Sequence, residues 1–181
     1  MPTPQLDAIA LLKADHRKVE GLFGKFEAAK SGLKKAELAR QICTELTVHT
    51  VIEEEIFYPA CKGVVEADLL DESYVEHDGA KVLIAEIEAA APDADFFDAK
   101  VTVLSEQIKH HVKEEEKRAE GLFAQARKAG LDMDALSRRM QARKTELLGQ
   151  IKATGLPTPE TRSFTGHKIV QSRPVVNRPA A

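Results

Sequence analysis

Cysteine and aromatic residues are scarce in this sequence, and their scarcity excludes several classes of protein. The 181 residues include two cysteines, no tryptophan and 5% aromatic residues. Cys43 and Cys61 are not spaced as a C-x-x-C pair, so a zinc ribbon or a dithiol redox motif is excluded. If both lie on one helix, they are roughly 27 Å apart at ~1.5 Å per residue, whereas a disulfide requires about 7 Å or less. Two free thiols are typical of a reducing compartment, so the sequence predicts a cytoplasmic protein.

Long apolar runs and an excess of positive charge are also missing. No apolar run approaches the ~18 residues that a membrane span needs, and residues 1–10 lack the basic-then-apolar order of a signal peptide. The 26 basic residues are outnumbered by 29 acidic ones, giving a formal charge of −3, which argues against nucleic acid as the main partner. At 43% hydrophobic and 30% charged, the chain can still form a core with a polar surface.

The apolar residues recur at spacings of three and four almost throughout, and no segment alternates with period two. The sequence therefore predicts an all-α protein. The expected helices cover residues 6–30, 34–62, 66–90, 95–129 and 132–151. Because the first four have short connections, we expect an antiparallel up-down four-helix bundle over residues 1–130, with an accessory C-terminal helix over residues 131–154.

Residues 155–181 have a different composition. They contain four of the eight prolines and no helical pattern, and four basic residues against Glu160 give them a charge of +3. This composition predicts an extended tail that is either unstructured or lies over the bundle or a partner subunit. A homodimer formed through the C-terminal helix or the tail is one possible arrangement.

Four histidines share the apolar stripes of the four bundle helices. They are His16, His49, His77 and His111. In an antiparallel hairpin, residues equidistant from the turn face each other. The midpoints of successive pairs are 32.5, 63 and 94, and each falls on a turn already indicated by glycine or proline. The four histidines should therefore meet in one layer of the bundle. A single inward histidine is usually a core residue, but four at one height are not explained in that way.

Two glutamates are predicted to join this layer. Glu53 follows His49 by four residues and Glu115 follows His111 by four, and residues so spaced share a helix face. Buried carboxylates are costly unless they are paired or bind a metal. Imidazole and carboxylate ligands without thiolate suit iron, manganese or zinc. Six ligands exceed the needs of one tetrahedral zinc and suit two metal ions with bridging carboxylates.

Neighbouring residues leave alternatives open. His110 with Glu114 repeats the spacing and competes with His111, although it lies about 100° off the stripe. Glu54 is a further possible ligand. The remaining members of the two acidic runs are expected on solvated faces; these are Glu55, Glu114 and Glu116.

These residues resemble the hemerythrin-like family, also called the HHE cation-binding domain. The resemblance lies in His16, His77, the stretch from His49 to Pro59 and the stretch from Lys109 to Glu116, and it covers residues 6–129. It implies a four-helix bundle with two non-haem iron ions, oxo- or hydroxo-bridged, with manganese or zinc as alternatives. It further implies that His16, His49 and Glu53 serve one iron. The other iron would be served by His77, His111 and Glu115, with the two glutamates as bridges.

The resemblance implies a protein that binds, senses or handles oxygen, nitric oxide or iron, with a small diatomic molecule or peroxide as its ligand. The alternatives are an enzyme that decomposes peroxide or reduces nitric oxide, and a scaffold in which the metal is structural.

Three departures from the oxygen-carrying members of the family bear on this expectation. The positions four residues from His77 are Ser73 and Lys81, not histidine, which argues against simple oxygen carriage. Position 116 is Glu where those members carry Asp. Residues 117–123 resemble a small insertion that should alter the end of the fourth helix and not the site. Near His77, Tyr74 is expected either to donate a hydrogen bond to the site or only to pack, and Lys81 is expected to extend to solvent.

Overall fold

Eight helical segments follow one another in the computed structural model, which describes residues 6–166. They are α1 (Ala8–Ala28), α2 (Gly32–Ile52), a π-helical turn (Glu53–Phe57), α3 (Tyr58–Cys61), α4 (Ala67–Ala89), α5 (Phe97–Glu115), α6 (Leu122–Lys128) and α7 (Met133–Thr154). No strand occurs in this part of the chain, so the prediction of an all-α fold is confirmed. The last fifteen residues of the predicted tail lie outside the described residues, as do the first five of the chain.

The four-helix bundle is formed by α1, α2 with its π-turn, α4 and α5. Helix α1 packs on α2 and α5, and α4 packs on the same two helices. Its apolar core is divided into two clusters, one containing Leu12 and Ile52 and the other containing Val19 and Leu46. His16 falls between the members of these two clusters on α1, and on α2 His49 lies where the second cluster ends and the first begins, next to Val48. A layer of polar side chains therefore crosses the middle of the core, where its burial requires compensating contacts.

The second predicted helix is not a regular α-helix, because a π-turn interrupts it after Ile52. The N–H of Tyr58 donates to the carbonyl of Glu53, five residues earlier, in place of the usual four. Pro59 favours this local change, since its ring would clash with the carbonyl of Glu55 in an α-helix. Five residues of α-helix would turn Tyr58 about 140° away from Glu53. The π-turn instead directs both side chains inward.

The fourth predicted helix is wrong as a continuous element over residues 95–129, because it ends at Glu115 and resumes at Leu122. Gly121 permits the tight connection between the two helices. A Cβ atom there would lie 2.6 Å from the carbonyl oxygen of Glu115 and 2.7 Å from the backbone N and O of Lys117. The break follows from this close backbone approach, which no other residue type allows.

Replacing Gly121 with alanine is expected to destabilise the protein by about 1–3 kcal/mol, because the added methyl group must displace backbone atoms. The matched control is Gly149→Ala on α7, where a Cβ meets nothing within 4 Å. That change should instead stabilise by about 0.5–1 kcal/mol, since alanine is the better helix former. Urea unfolding of both variants measures the two effects. A Gly121→Ala protein as stable as its parent would contradict this account of the connection.

The accessory helix α7 packs across α1 and α2. Its apolar stripe is buried in the first core cluster and consists of Met133, Leu136, Met140 and Leu147. The stripe is therefore core and is not left free for a partner. Residues 155–166, here called the strap, then run without helical structure along α4. The amides of Arg162 and Ser163 donate to Asp78 Oδ2 at 2.7 and 2.6 Å. The division of the chain at residues 130 and 154 into separate units stays a prediction.

Two further sequence predictions concern cysteines and membranes. Cys43 and Cys61 are both free and buried, as expected. Among the helices of residues 6–166, none has the length and apolarity needed to span a bilayer.

Candidate metal centre

The six side chains predicted from the sequence lie together in the polar layer at the centre of the bundle. They are His16 on α1, His49 on α2, Glu53 on the π-turn, His77 on α4, and His111 and Glu115 on α5. All six are buried. His16 Nε2 lies 3.1 Å from His49 Nε2, and His77 Nε2 lies 3.2 Å from His111 Nε2. The histidines thus form two pairs whose inner nitrogens face each other.

The two glutamates connect the pairs. Glu53 Oε2 lies 3.1 Å from His49 Nε2 and 3.3 Å from His77 Nε2. Glu115 Oε2 lies 3.4 Å from His16 Nε2 and 3.5 Å from His111 Nε2. Each carboxylate therefore reaches one histidine of each pair. The donor atoms fall into two groups that share Glu53: His16, His49, Glu53 and Glu115 form one, and Glu53, His77 and His111 form the other.

The outer nitrogen of every one of these histidines faces a carboxylate. The contacts to Nδ1 are Asp15 with His49 at 3.8 Å, Glu54 with His77 at 3.1 Å, Glu76 with His111 at 2.7 Å, and Glu116 with His16 at 2.8 Å. A carboxylate beside Nδ1 holds the proton on that nitrogen and leaves the lone pair on Nε2. The imidazoles of His16, His77 and His111 are thereby oriented toward the centre of the bundle. Asp15 lies beside His49 but beyond hydrogen-bond distance, and His49 Nδ1 has no hydrogen-bond partner among the described residues.

The residues fit a pair of metal cations. Glu53 Oε1 and Glu115 Oε2 are buried and have no hydrogen-bond partner among the described residues. A buried unpartnered oxygen costs about 1–3 kcal/mol, and a cation would remove that cost. Two Nε2 lone pairs about 3 Å apart also repel unless a proton or a cation lies between them. The donor set of nitrogen and oxygen without sulfur suits iron, manganese or zinc.

Protons occupy part of this layer when no metal is bound. Burial opposes a charged imidazole at His49, but the charge of Glu53 and the nearby Asp15 outweigh it and raise the pKa of His49 to about 10. At His111 burial is outweighed in the same way by Glu115, and the pKa rises to about 9. Despite its own burial, Glu53 has a pKa well below its usual range because of the charges of His49 and His77. The metal-free centre thus holds an ionised Glu53 and protonated imidazoles at His49 and His111.

The sequence of this chain matches the model of a known protein family. The family model of the hemerythrin HHE cation binding domain matches residues 7–126. The chain belongs to the hemerythrin HHE cation-binding domain family. It is therefore a hemerythrin-like, metal-binding protein, and the buried layer of histidines and glutamates is its candidate cation site.

Two individual proteins are similar to this hemerythrin-like chain. A DNA nickase from Nostoc sp. is 32% identical over 106 residues, which is 59% of this chain and 30% of that protein. The chain thus spans less than a third of that relative. A crystal structure of a hemerythrin HHE cation binding domain-containing protein from Mycobacterium kansasii superposes with a TM-score of 0.68. It covers 83% of this chain and 95% of its own at 19% identity, so it supports the fold.

The hemerythrin-like centre contains a tyrosine that the sequence reasoning missed. The Tyr58 hydroxyl donates to Glu115 Oε1 at 2.9 Å and lies 3.2 Å from His77 Nε2 and 3.3 Å from Glu53 Oε2. Burial and the charges of Glu115 and Glu53 raise the pKa of Tyr58 well above its usual value, so the phenol keeps its proton. Tyr74, the tyrosine considered from the sequence, packs edge-on against Tyr58. In the sequence, the one indication of the π-turn that brings Tyr58 inward is Pro59, a proline inside a predicted helix.

Three expectations for residues around the hemerythrin-like centre are corrected or resolved by the structure. Lys81 does not extend to solvent, because its Nζ pairs with Glu54 at 2.7 Å and with Asp78 at 3.2 Å inside the fold. Glu54 contacts the outer nitrogen of His77 and lies in neither group of inward donors. His110 has an exposed side chain and lies 3.5 Å from Glu76, whereas His111 points inward.

Glu116 is a further correction, since it is not a solvated residue. The break after Glu115 places the Glu116 carboxylate against His16 Nδ1, where Arg17 also pairs with it. The hydrogen bond from His16 lowers the pKa of Glu116. The segment that resembles an insertion therefore does affect the site, because it ends α5 next to this carboxylate.

Proposed function

We propose that this chain holds two non-haem iron ions in the buried layer and uses them to bind and sense a small oxidant: oxygen, nitric oxide or peroxide. The observation that carries this proposal is the coincidence of two donor groups sharing Glu53 with a very small enclosed space beside them. That cavity has a volume of about 10 Å³ and touches all four histidines. Its other walls are largely apolar and include Val19, Leu46, Ile108 and Val112. A space of this size accommodates about one water molecule, which restricts the ligand to a few atoms.

A route from the surface supports the same proposal. A groove of about 310 Å³ lies between α1 and α5 and shares His16, Ile108 and Val112 with the small cavity. Small ligands entering this groove would pass these three side chains to reach the histidines. Bound iron would supply Lewis acidity and electrons to such a ligand.

The protein's own residues have separable roles in this proposal. Six side chains hold the ions, and the outer carboxylates fix the orientation of the imidazoles. The Tyr58 hydroxyl is an inward-facing hydrogen-bond donor, and it donates at 2.9 Å to Glu115 Oε1, on one of the two carboxylates that join the histidine pairs. A hydroxyl at this position favours a second candidate, an enzyme that decomposes peroxide or reduces nitric oxide, because cleavage of peroxide moves a proton to the leaving oxygen and reduction of nitric oxide consumes protons.

Elemental analysis of protein purified from iron-replete cells tests the proposal. We expect two irons per chain in the parent, and their loss in the double variant His49→Ala, His111→Ala, whose circular dichroism checks that the helices persist. Oxygen, peroxide and nitric oxide are then added to the loaded parent. Stable spectral adducts without turnover support the sensor, and sustained consumption of peroxide or nitric oxide supports the enzyme. Less than half a metal ion per chain in both proteins would overturn the iron centre.

The nicking activity of the Nostoc relative is not proposed for this chain, because the match covers 30% of that protein. We propose a small-molecule ligand in the cytoplasm, with no nucleic acid or membrane partner. The formal charge of −3 supports the first of these exclusions.

A further inference from the structure

Each outer carboxylate of the metal centre is itself paired with a cationic or basic side chain. The contacts are Asp15 with Lys144, Glu54 with Lys81 and Arg162, Glu76 with His110, and Glu116 with Arg17. Two of these residues, Lys144 and Arg162, lie beyond the family match, which ends at residue 126. They belong to the C-terminal extension, defined here as α7 and the strap.

Lys144 connects α7 to the first donor group. Its Nζ pairs with Asp15 Oδ1, and the other oxygen of Asp15 lies 3.8 Å from His49 Nδ1. Asp15 is 6% exposed, so its charge needs a partner inside the protein.

Arg162 connects the strap to the second donor group. Its Nε donates to Glu54 Oε2 at 2.9 Å, and Glu54 Oε1 lies 3.1 Å from His77 Nδ1. The strap is held in place there by the two amide bonds to Asp78 and by Lys81, whose Nζ donates to the carbonyl of Glu160 at 3.1 Å. Arg162 is therefore separated from the imidazole of His77 by a single carboxylate.

We propose that the C-terminal extension is part of the metal centre, with Lys144 and Arg162 as positioning residues, one for each donor group. Lys144 holds the Asp15 carboxylate beside His49 Nδ1, at 3.8 Å, and Arg162 holds the Glu54 carboxylate against His77 Nδ1, at 3.1 Å. With carboxylates held beside their outer nitrogens, the two imidazoles keep Nε2 directed at the ion, which slows its release. The inference rests on the proposed function, because it assumes that the centre binds metal.

The test uses the full-length protein loaded with zinc, which accepts the same ligands. Zinc is diamagnetic, so it does not broaden the nitrogen resonances of the imidazoles. Lys144→Met and Arg162→Gln are each expected to speed zinc release to excess chelator about tenfold. Loss of a group that orients a metal ligand usually changes metal affinity by about 10–100-fold, and the expected effect is at the lower end of that range. Lys144→Arg and Arg162→Lys should largely restore the parent rate. The matched control is Arg143→Met, since Arg143 binds Glu55, a carboxylate with no histidine contact among the described residues.

Nitrogen magnetic resonance of the imidazoles supplies a second readout. Lys144→Met should shift the Nδ1 resonance of His49 and leave that of His77 in place, and Arg162→Gln should do the reverse. Release rates equal to that of Arg143→Met in all variants, with unshifted resonances, would overturn the role of the extension while leaving the metal centre intact. A parent that takes up neither zinc nor iron would overturn the proposed function and this inference together.

Discussion

Replacing Glu53 with glutamine is expected to remove both metal ions, whereas replacing His16 with alanine should weaken only one donor group. Glu53 is shared by the two groups, and its Oε2 lies within 3.3 Å of an inner nitrogen in each histidine pair. The amide of glutamine offers one neutral oxygen and a donating NH₂ where a charged ligand is needed. We expect the affinity for metal to fall by more than about 100-fold. This exceeds the loss of affinity that usually follows when a group that only orients a ligand is removed.

Glu55→Gln is the matched control for this experiment. It makes the same chemical change two positions along the π-turn, but its side chain is exposed and contacts Arg143. Metal content by elemental analysis should be that of the parent in Glu55→Gln and near zero in Glu53→Gln. Circular dichroism of both proteins distinguishes loss of metal from loss of fold. A Glu53→Gln protein that retains both ions would show that the groups do not depend on a shared carboxylate.

Metal affinity is expected to rise steeply with pH, because two ligands must lose a proton before they can bind. The pKa of His49 is raised to about 10 and that of His111 to about 9, so both are charged in the metal-free protein near neutrality. A ligating imidazole must be neutral, so each bound ion displaces protons. One proton displaced by each ion gives about a tenfold gain in the affinity for that ion per pH unit, or about 100-fold between pH 6 and 8, and the product of the two binding constants rises by about 10⁴ over the same range. Zinc competition with a chelator of known protonation behaviour measures this slope.

The stability of the metal-free protein should have the opposite pH dependence. A group with a raised folded-state pKa adds stability below its unfolded pKa of about 6.5, and that stability is lost as the pH rises through the folded-state value. For His49 and His111 the loss falls between pH 6.5 and about 10. Urea unfolding of chelator-treated protein across this range checks the sign. If the zinc affinity and the free energy of unfolding were both independent of pH, His49 and His111 would not be protonated in the metal-free protein.

The sequence contains enough information to find the inner ligands. Helical spacing puts His49 and Glu53 on one face, and the midpoints of histidine pairs coincide with turns marked by glycine and proline. Both signals depend only on regular helix geometry, and α1, α2 and α4 are regular where they carry a histidine. The all-α bundle followed from the same periodicity.

Irregular winding explains the principal omission. Tyr58 lies five residues after Glu53, a spacing that regular geometry directs away from the site. The break at Glu115 was missed for a related reason, since one close backbone approach at Gly121 decides it. Composition alone does not reveal which glycine meets a neighbouring backbone.

The outer carboxylates were missed because each of them contacts a histidine of another helix. Asp15 and Glu76 directly precede His16 and His77 in the sequence, yet their carboxylates face His49 and His111. A step of one residue rotates a side chain by about 100°, enough to leave its own helix face and meet the next helix. An acidic residue adjacent to His16, Glu53, His77 and Glu115 was the available signal. Lys81 was misplaced for the same reason, because its buried partner Glu54 is on another helix.

The π-turn also bears on how this helix tolerates changes of length. Glu53 and Tyr58 share a face because the turn accommodates one residue more than an α-helix would between them. If that residue were deleted and the segment wound as an α-helix, the two side chains would be four apart and would again share a face. A one-residue deletion here is therefore close to neutral for the centre, although gaps inside helices usually disrupt packing. Sequence alignments of such bundles should permit a one-residue gap between the bridging glutamate and the tyrosine.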